Sequence, residues 1–235
     1  MKILRAKPTT LIDLLSAEIM EKTLKTGISR TYTKGQIIQQ RGDTDRGISI
    51  VTTGAAAAGN IGLDGSFLFS AHLGPGECFG EFTLFAGLPR TQNIWALEPT
   101  EIVHISAKSF LPLFEAEPSI PRALLTLTLL RSHELIELLD AQRRLSLTAR
   151  LAQLLLNGVD PKSKNGTVEC TQEDLASMSG VSRVSVGKAL KKMQRKGLVT
   201  LEYGRIHIPD TSRLIQTVEA ENQILPVTPS AVTFK

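Results

Sequence analysis

The stretch from Phe79 to Thr91, F-G-E-F-T-L-F-A-G-L-P-R-T, sets a glycine, a carboxylate and an arginine around a short segment that closes on a proline. Those residue types at that spacing suit a small pocket for a sugar phosphate. The guanidinium of Arg90 can fork onto two phosphate oxygens. Glu81 can accept hydrogen bonds from vicinal hydroxyls. Gly80 lets backbone approach a ligand closely, and Pro89 fixes the chain just before Arg90. Phe82 and Thr91 flank these groups and complete the candidate set in this segment. The same residues also fit a salt-bridged loop that holds no ligand.

A second chemical signature runs from Thr171 to Val199, T-Q-E-D-L-A-S-M-S-G-V-S-R-V-S-V-G-K-A-L-K-K-M-Q-R-K-G-L-V. Thr171 is a good helix N-cap, and Asp174 three residues on can answer it as in a capping box. Leu175 and Met178 face inward on this first helix. Ala176 is small where two crossing helices must meet closely, and Ser179-Gly180-Val181 makes a tight turn. Ser182 then caps a second helix, which completes helix-turn-helix logic. On that second helix Val186, Leu190 and Met193 are spaced for burial. Arg183, Lys188, Lys191, Lys192, Arg195 and Lys196 are basic, and no acid interrupts Ser182 to Lys196. A charge run is often only a solvated face. On the helix that this motif sets into the major groove, it points to double-stranded DNA. Arg183 in the first turn can pair bidentately with guanine O6 and N7. Ser182, Ser185, Lys188 and Lys191 suit phosphates, which give salt-dependent affinity without sequence information. Thr171 and Gln172 complete the candidate DNA contacts.

The elements that must position these groups follow from texture. Residues 9–26 show helical spacing around Leu11, Leu14, Leu15, Ile19 and Met20. From Ser29 to Ser106 come short runs rich in Thr, Val and Ile, broken by frequent glycines, which predicts a β-roll or barrel. Asp64-Gly65 reads as a hairpin turn between 57–62 and 66–73, and Gly74-Pro75-Gly76-Glu77 as a turn leading into the first signature. Pro118 and Pro121 suit a helix start, and residues 122–145 are free of Gly and Pro. Leu124, Leu127, Leu130, Leu135, Leu138 and Leu139 give that helix a broad apolar surface, though Arg131 and Glu134 interrupt a strict heptad. An ordinary amphipathic helix and a two-stranded dimer seam both fit. Leu145 to Leu147 reads as a hinge, with Ser146 capping a helix over 147–156. Asn157-Gly158 ends it, and a polar loop runs from Asp160 to Gly166. After the second signature, 198–202 and 205–208 flank Tyr203-Gly204 as a β-wing.

The composition excludes several classes. The 235 residues are 42% hydrophobic and 21% charged with a net charge of +4, ordinary globular values with a mild basic excess. Cys78 and Cys170 lie far apart, which argues against a disulfide framework, a metal centre or an iron–sulfur cluster and for a reducing cytoplasm. No signal-peptide pattern or long apolar run is visible, so a membrane partner is not expected. His72, His104, His133 and His207 are scattered, no serine or cysteine sits in a nucleophile motif, and no enzyme activity is expected. No G-x-G-x-x-G follows a strand, and no P-loop lysine motif occurs.

The first signature resembles the phosphate-binding cassette of cyclic-nucleotide-binding domains, with Phe79-Gly80-Glu81 and Pro89-Arg90-Thr91 in place. The Glu-to-Arg spacing is closer to that of cyclic-nucleotide-regulated kinases than to that of the bacterial cyclic-AMP receptor protein. In the second signature, Ser182-Arg183 and Val186-Gly187-Lys188 are similar to the S-R-x-x-V-G-[RK] pattern of CRP/FNR-family transcription regulators. The resemblance covers about residues 25–215. It implies an α+β chain: a cyclic-nucleotide-binding β-roll or jelly-roll barrel over 1–118, a dimerisation helix over 119–145, a winged helix-turn-helix over 146–221, and a tail over 222–235. It also implies a homodimer on a near-palindromic operator, RNA polymerase as a partner, and a cyclic nucleotide, cAMP or cGMP, as effector. Glu81 would take the ribose 2′-hydroxyl and Arg90 the cyclic phosphate. Val184 stands where the cyclic-AMP receptor protein has a glutamate, which predicts an altered operator in which valine packs on a thymine methyl. Where that protein contacts adenine with a Thr-Ser pair, counting back from the hinge gives Leu135 and Ile136. Thr128, Ser132, His133 and Arg131 are the polar candidates nearby, and Thr128 and Ser132 enter the candidate site. An effector of another kind, a ligand-independent regulator and a cyclic-nucleotide-binding regulatory subunit that does not bind DNA remain alternatives.

Overall fold

In the computed structural model, residues 8–62, 67–159 and 164–221 are described. The Asp64-Gly65 turn, part of the Asp160–Gly166 loop and the 222–235 tail lie outside them. Of the described residues, 8–135 form one compact unit and 136–221 form another.

The first unit opens with α1 (Leu11–Leu14) and α2 (Ala17–Lys25). Ser16 separates them because its hydroxyl accepts from the Ile19 amide as the N-cap of α2. The strands follow as β1 (Ile28–Tyr32), β2 (Ile37–Gln39), β3 (Gly47–Thr53), β4 (Ala56–Ile61), β5 (Phe67–Leu73) and β6 (Cys78–Phe79). Next come the short helix α3 (Glu81–Ala86), β7 (Asn93–Ala96), β8 (Thr100–Ser106), α4 (Ala107–Ala116) and the long helix α5 (Ser119–Arg144). Among the described residues the strands make two antiparallel sheets, ordered β1-β8-β3-β6 and β2-β7-β4-β5. Antiparallel β4 and β5 pair from Ala56↔Leu73 to Ile61↔Phe67 on either side of the expected turn.

Strand alternation decides which residues face which core. Tyr32, Val51, Phe79 and Ile102 share an interior cluster with Ala56, Ala58, Leu73, Ile94 and Ala96. The second sheet builds its wall largely from methyl groups, since Ala58 lies opposite Ala71 and Ala56 opposite Ala96. Ile48, Ile50, Cys78, Val103 and Ile105 face the other way, onto α1, α2, α4 and the start of α5. On α5, Ile120, Ala123, Leu124 and Leu127 make the buried stripe, at the i, i+3, i+4, i+7 spacing of one helix face.

In the second unit, α6 (Leu147–Asn157) precedes β9 (Gly166–Val168), α7 (Gln172–Ser179), α8 (Arg183–Arg195), β10 (Thr200–Glu202), β11 (Arg205–Ile208) and α9 (Thr211–Glu219). The expected caps form. Ser146 accepts from the Ala149 amide, and Thr171 and Asp174 close a reciprocal capping box. Gly180 ends α7 at φ +64°, a left-handed conformation that glycine adopts without strain. The wing is a three-stranded sheet, because β9 pairs β11 on the side away from β10. The core gathers Leu151, Leu155, Leu175, Val186, Leu190, Met193, Ile206 and Leu214.

Candidate functional site

Arg90 is the centre of the first site. Its backbone is held by reciprocal loop contacts, with its amide donating to the Asp43 carbonyl and its carbonyl accepting from the Gly42 amide, both at 2.9 Å. Its side chain is only 9% exposed. Nη2 donates to the Asp45 carbonyl at 3.0 Å and to the Gly47 carbonyl at 3.3 Å. Nε and Nη1 are buried with no partner. Burial lowers the pKa of this guanidinium, against the pull of Glu81, Asp43 and Asp45, yet arginine stays charged. A buried cation with open donors is costly unless an anion completes it.

Gly80 explains how the arginine fits. Its φ is +115°, and a Cβ there would stand 2.4 Å from the Gly47 carbonyl oxygen and 2.5 Å from Arg90 Nη1. The cassette therefore needs glycine both for conformation and for room.

Glu81 is already engaged. Its Oε1 accepts from Arg131 Nη1 at 2.7 Å, and Arg131 Nη2 donates to the Cys78 carbonyl at 2.9 Å. Burial works against the Arg131 charge, but the carboxylates of Glu81 and Glu77 help hold its pKa above the ordinary value. The Cys78 thiol, fully buried, sits 3.4 Å from the same Glu81 oxygen, and burial and Glu81 push its pKa well up. Cys78 is thus a neutral thiol within the site.

The structure brings Gly80, Glu81, Arg90 and Arg131 together. Thr128 uses its hydroxyl on the Leu124 carbonyl of its own helix at 2.8 Å, and Ser132 is exposed. Arg131, rather than either hydroxyl, links α5 to the cassette. Its position had a signal in the sequence: Arg131 continues the stripe Ile120, Ala123, Leu124, Leu127, so it must face the barrel. Phe82 and Thr91 are exposed, and the Thr91 carbonyl accepts from Arg41 Nη1 at 2.8 Å.

The second site is the outer face of α8. Val186, Leu190 and Met193 are fully buried, while Arg183, Lys188, Lys191, Lys192, Arg195 and Lys196 are exposed. Val184 stands among them at 67% exposure, an isopropyl group on a cationic face. The Ser182 hydroxyl accepts from the Ser185 amide at 3.2 Å and bonds the Ser185 hydroxyl at 2.9 Å. The amide and hydroxyl of Thr171 both donate to Asp174 Oδ2. Gln172 lies over Gly187, where a Cβ would come within 3.1 Å of its Oε1. Tyr203 projects fully exposed from the wing tip. Among the described residues no His, Cys, Asp and Glu cluster could hold a metal ion, and no helix is long and apolar enough to cross a membrane.

These two sites, a barrel with a buried cationic cassette and a winged helix-turn-helix with a basic recognition face, define the class of protein. Sequence models of the cyclic nucleotide-binding domain and of the Crp-like helix-turn-helix domain match residues 29–117 and 149–217. The cAMP-activated global transcriptional regulator CRP of Pasteurella multocida is 31% identical over 143 residues, 58% of this chain and 68% of that one. The cyclic AMP receptor protein of Thermus thermophilus is 27% identical over 214 residues, covering 88% and 96%. Among solved structures, a CooA mutant from Carboxydothermus hydrogenoformans superposes with a TM-score of 0.75 at 19% identity, over 92% of this chain and 98% of that one. The c-di-GMP responsive global regulator CLP of Xanthomonas campestris gives 0.70 at 23%, over 82% and 99%. The chain belongs to the CRP/FNR family of DNA-binding transcription regulators.

Proposed function

We propose that the chain is a homodimeric transcription regulator whose DNA-competent state is favoured by a phosphate-bearing effector, most simply a cyclic nucleotide such as cAMP or cGMP. The observation that carries this reading is Arg90, a buried guanidinium with Nε and Nη1 unpartnered. A cyclic phosphate supplies the acceptors it lacks. Glu81 is close enough to favour the Arg90 charge, and its carboxylate offers acceptors to a ribose hydroxyl beside the Arg131 bond.

The division of labour is 1–118 for the effector, 119–145 for pairing and 146–221 for DNA. Exposed Leu125, Leu129, Ile136 and Leu139 on α5 support the pairing. With Ser132 they step along the helix at the alternating spacing of a coiled-coil seam, and Arg131 and Glu134 lie off that line. Two recognition helices about 34 Å apart then read a near-palindromic operator, and transcription changes through RNA polymerase. Arg183, Val184, Lys188 and Lys191 are the base and phosphate contacts of this reading. Leu135 and Ile136, both exposed and apolar, offer adenine N6 no acceptor, which favours as a second reading an effector other than cAMP.

Calorimetry with cAMP and cGMP tests the effector. Binding of either nucleotide, abolished by Arg90→Ala, is the expected result. Silence with both at millimolar concentration overturns the cyclic-mononucleotide reading. Removing one partner of a buried, hydrogen-bonded charge pair costs about 2–5 kcal/mol, so the loss should exceed roughly thirtyfold.

A further inference from the structure

Adjacent strands β1, β8 and β3 carry polar side chains into the barrel. Tyr32, Val51 and Ile102 belong to the interior cluster. Ser49 and His104 lie two residues from Val51 and Ile102 on the same strands, and so share that face. Tyr32 and Ser49 are 8% and 5% exposed. His104 joins them: Nε2 lies 2.7 Å from the Tyr32 hydroxyl and Nδ1 2.9 Å from the Ser49 hydroxyl.

The hydrogen count of this relay is uneven. A neutral imidazole donates once and accepts once. If Tyr32 donates to His104, then His104 donates to Ser49, and the Ser49 proton is left over. In the opposite sense the Tyr32 proton is left over. Protonating His104 makes both nitrogens donors and frees both hydroxyl protons. Burial, and then the two cations that face it, Arg30 of β1 and Arg90 of the cassette, hold the His104 pKa below the ordinary value. No acid closes the relay among the described residues, so one hydroxyl proton is left for a further acceptor.

We propose that Tyr32, Ser49 and His104 form a second, proton-donating subsite inside the barrel that takes an anionic oxygen of the effector alongside Arg90. This rests on the reading of Arg90 as an anion site. It assigns a recognition role to the barrel strands, separate from the cassette and from α5. It also couples binding to a proton. An anion seated there favours the imidazolium, so the His104 pKa rises from its depressed free value to a higher bound one. Affinity then increases as pH falls through the bound-state pKa and levels off below the free-state pKa. A cyclic phosphodiester does not itself titrate in that window.

The test is calorimetry with cAMP, cGMP and cyclic di-GMP at about pH 5.5 and about pH 8, a span that brackets histidine titration. The wild type should bind its nucleotide about three- to tenfold more tightly at the lower pH. His104→Gln should flatten that difference. Tyr32→Phe and Ser49→Ala, which keep shape and remove one hydroxyl each, should each weaken binding about two- to tenfold. If Arg90→Ala abolishes binding while the three barrel variants keep wild-type affinity and pH profile, the subsite is wrong and the cassette reading stands. If no nucleotide of the three binds the wild type at either pH, both fall.

Discussion

Arg90 and Gly80 act as one device. The arginine is held by two backbone carbonyls through Nη2, while Nε and Nη1 are buried without a partner. The glycine permits this, because a side chain at φ +115° would strain the backbone and strike both the Gly47 carbonyl and Nη1. Gly80→Ala should destabilise the barrel by at least about 1–2 kcal/mol from conformation alone, read as a lowered denaturant midpoint. It should also weaken nucleotide binding by displacing Arg90, and unchanged affinity would separate the glycine from the arginine. At the DNA face, Arg183 and Lys191 should behave differently. Arg183→Ala should cost about 1–3 kcal/mol on the operator and relax preference at one base position. Lys191→Ala should weaken all sequences alike and lower the salt slope of a dimer by about two, one phosphate contact per copy. A binding-site selection with each variant checks both, and unchanged preference in Arg183→Ala would remove it as a base reader.

At the scale of elements, α5 divides its residues by phase. One face goes to the barrel and ends in Arg131, while another leaves Leu125, Leu129, Ile136 and Leu139 exposed. Burying a leucine-sized side chain is worth about 1.5–3 kcal/mol. Leu129→Glu with Ile136→Glu removes four such groups from a dimer, on the order of 6 kcal/mol, and sets like charges across the seam. Sedimentation should find the double variant monomeric at micromolar concentration; a persistent dimer would place the interface elsewhere. The helices of the DNA-binding unit were legible in the sequence because caps are local chemistry: Thr171 with Asp174, Ser182 with Ser185 and Ser146 with Ala149 all act within four residues. The barrel was legible from its glycine punctuation. Partners distant in sequence were not. Arg131 meets Glu81 across 50 residues and Tyr32 meets His104 across 72, and only strand register and helix phase bring them together. The leucines of α5 read as one broad surface, because composition does not distinguish Leu124 and Leu127, which the barrel buries, from Leu125 and Leu129, which it leaves bare. Strand β9 leaves no signal in the sequence, since three residues carry too little alternation to register.

At the scale of the whole molecule, a regulator needs more than two sites; it needs free energy shared between them. An effector that binds both DNA-competent and incompetent states equally shifts nothing, however tightly Arg90 holds it. Ser146 is suited to carry such a difference. Its hydroxyl caps α6, and its amide and hydroxyl also donate to the Glu221 carboxylate at 2.8 and 2.9 Å, so the end of α5 is tied to the C-terminal end of α9. Linkage makes the consequence measurable without knowing the path. If effector raises operator affinity by some factor, operator must raise effector affinity by the same factor, about 5–150-fold for couplings of 1–3 kcal/mol. Nucleotide titrations with and without saturating operator, set beside operator titrations with and without saturating nucleotide, should return equal ratios. Equal ratios near one would mean that the cassette binds its ligand without governing DNA. Glu221→Gln should then be compared with wild type: a changed ratio with unchanged nucleotide affinity in the absence of DNA would assign the Ser146–Glu221 tie to the coupling, and an unchanged ratio would confine it to capping α6.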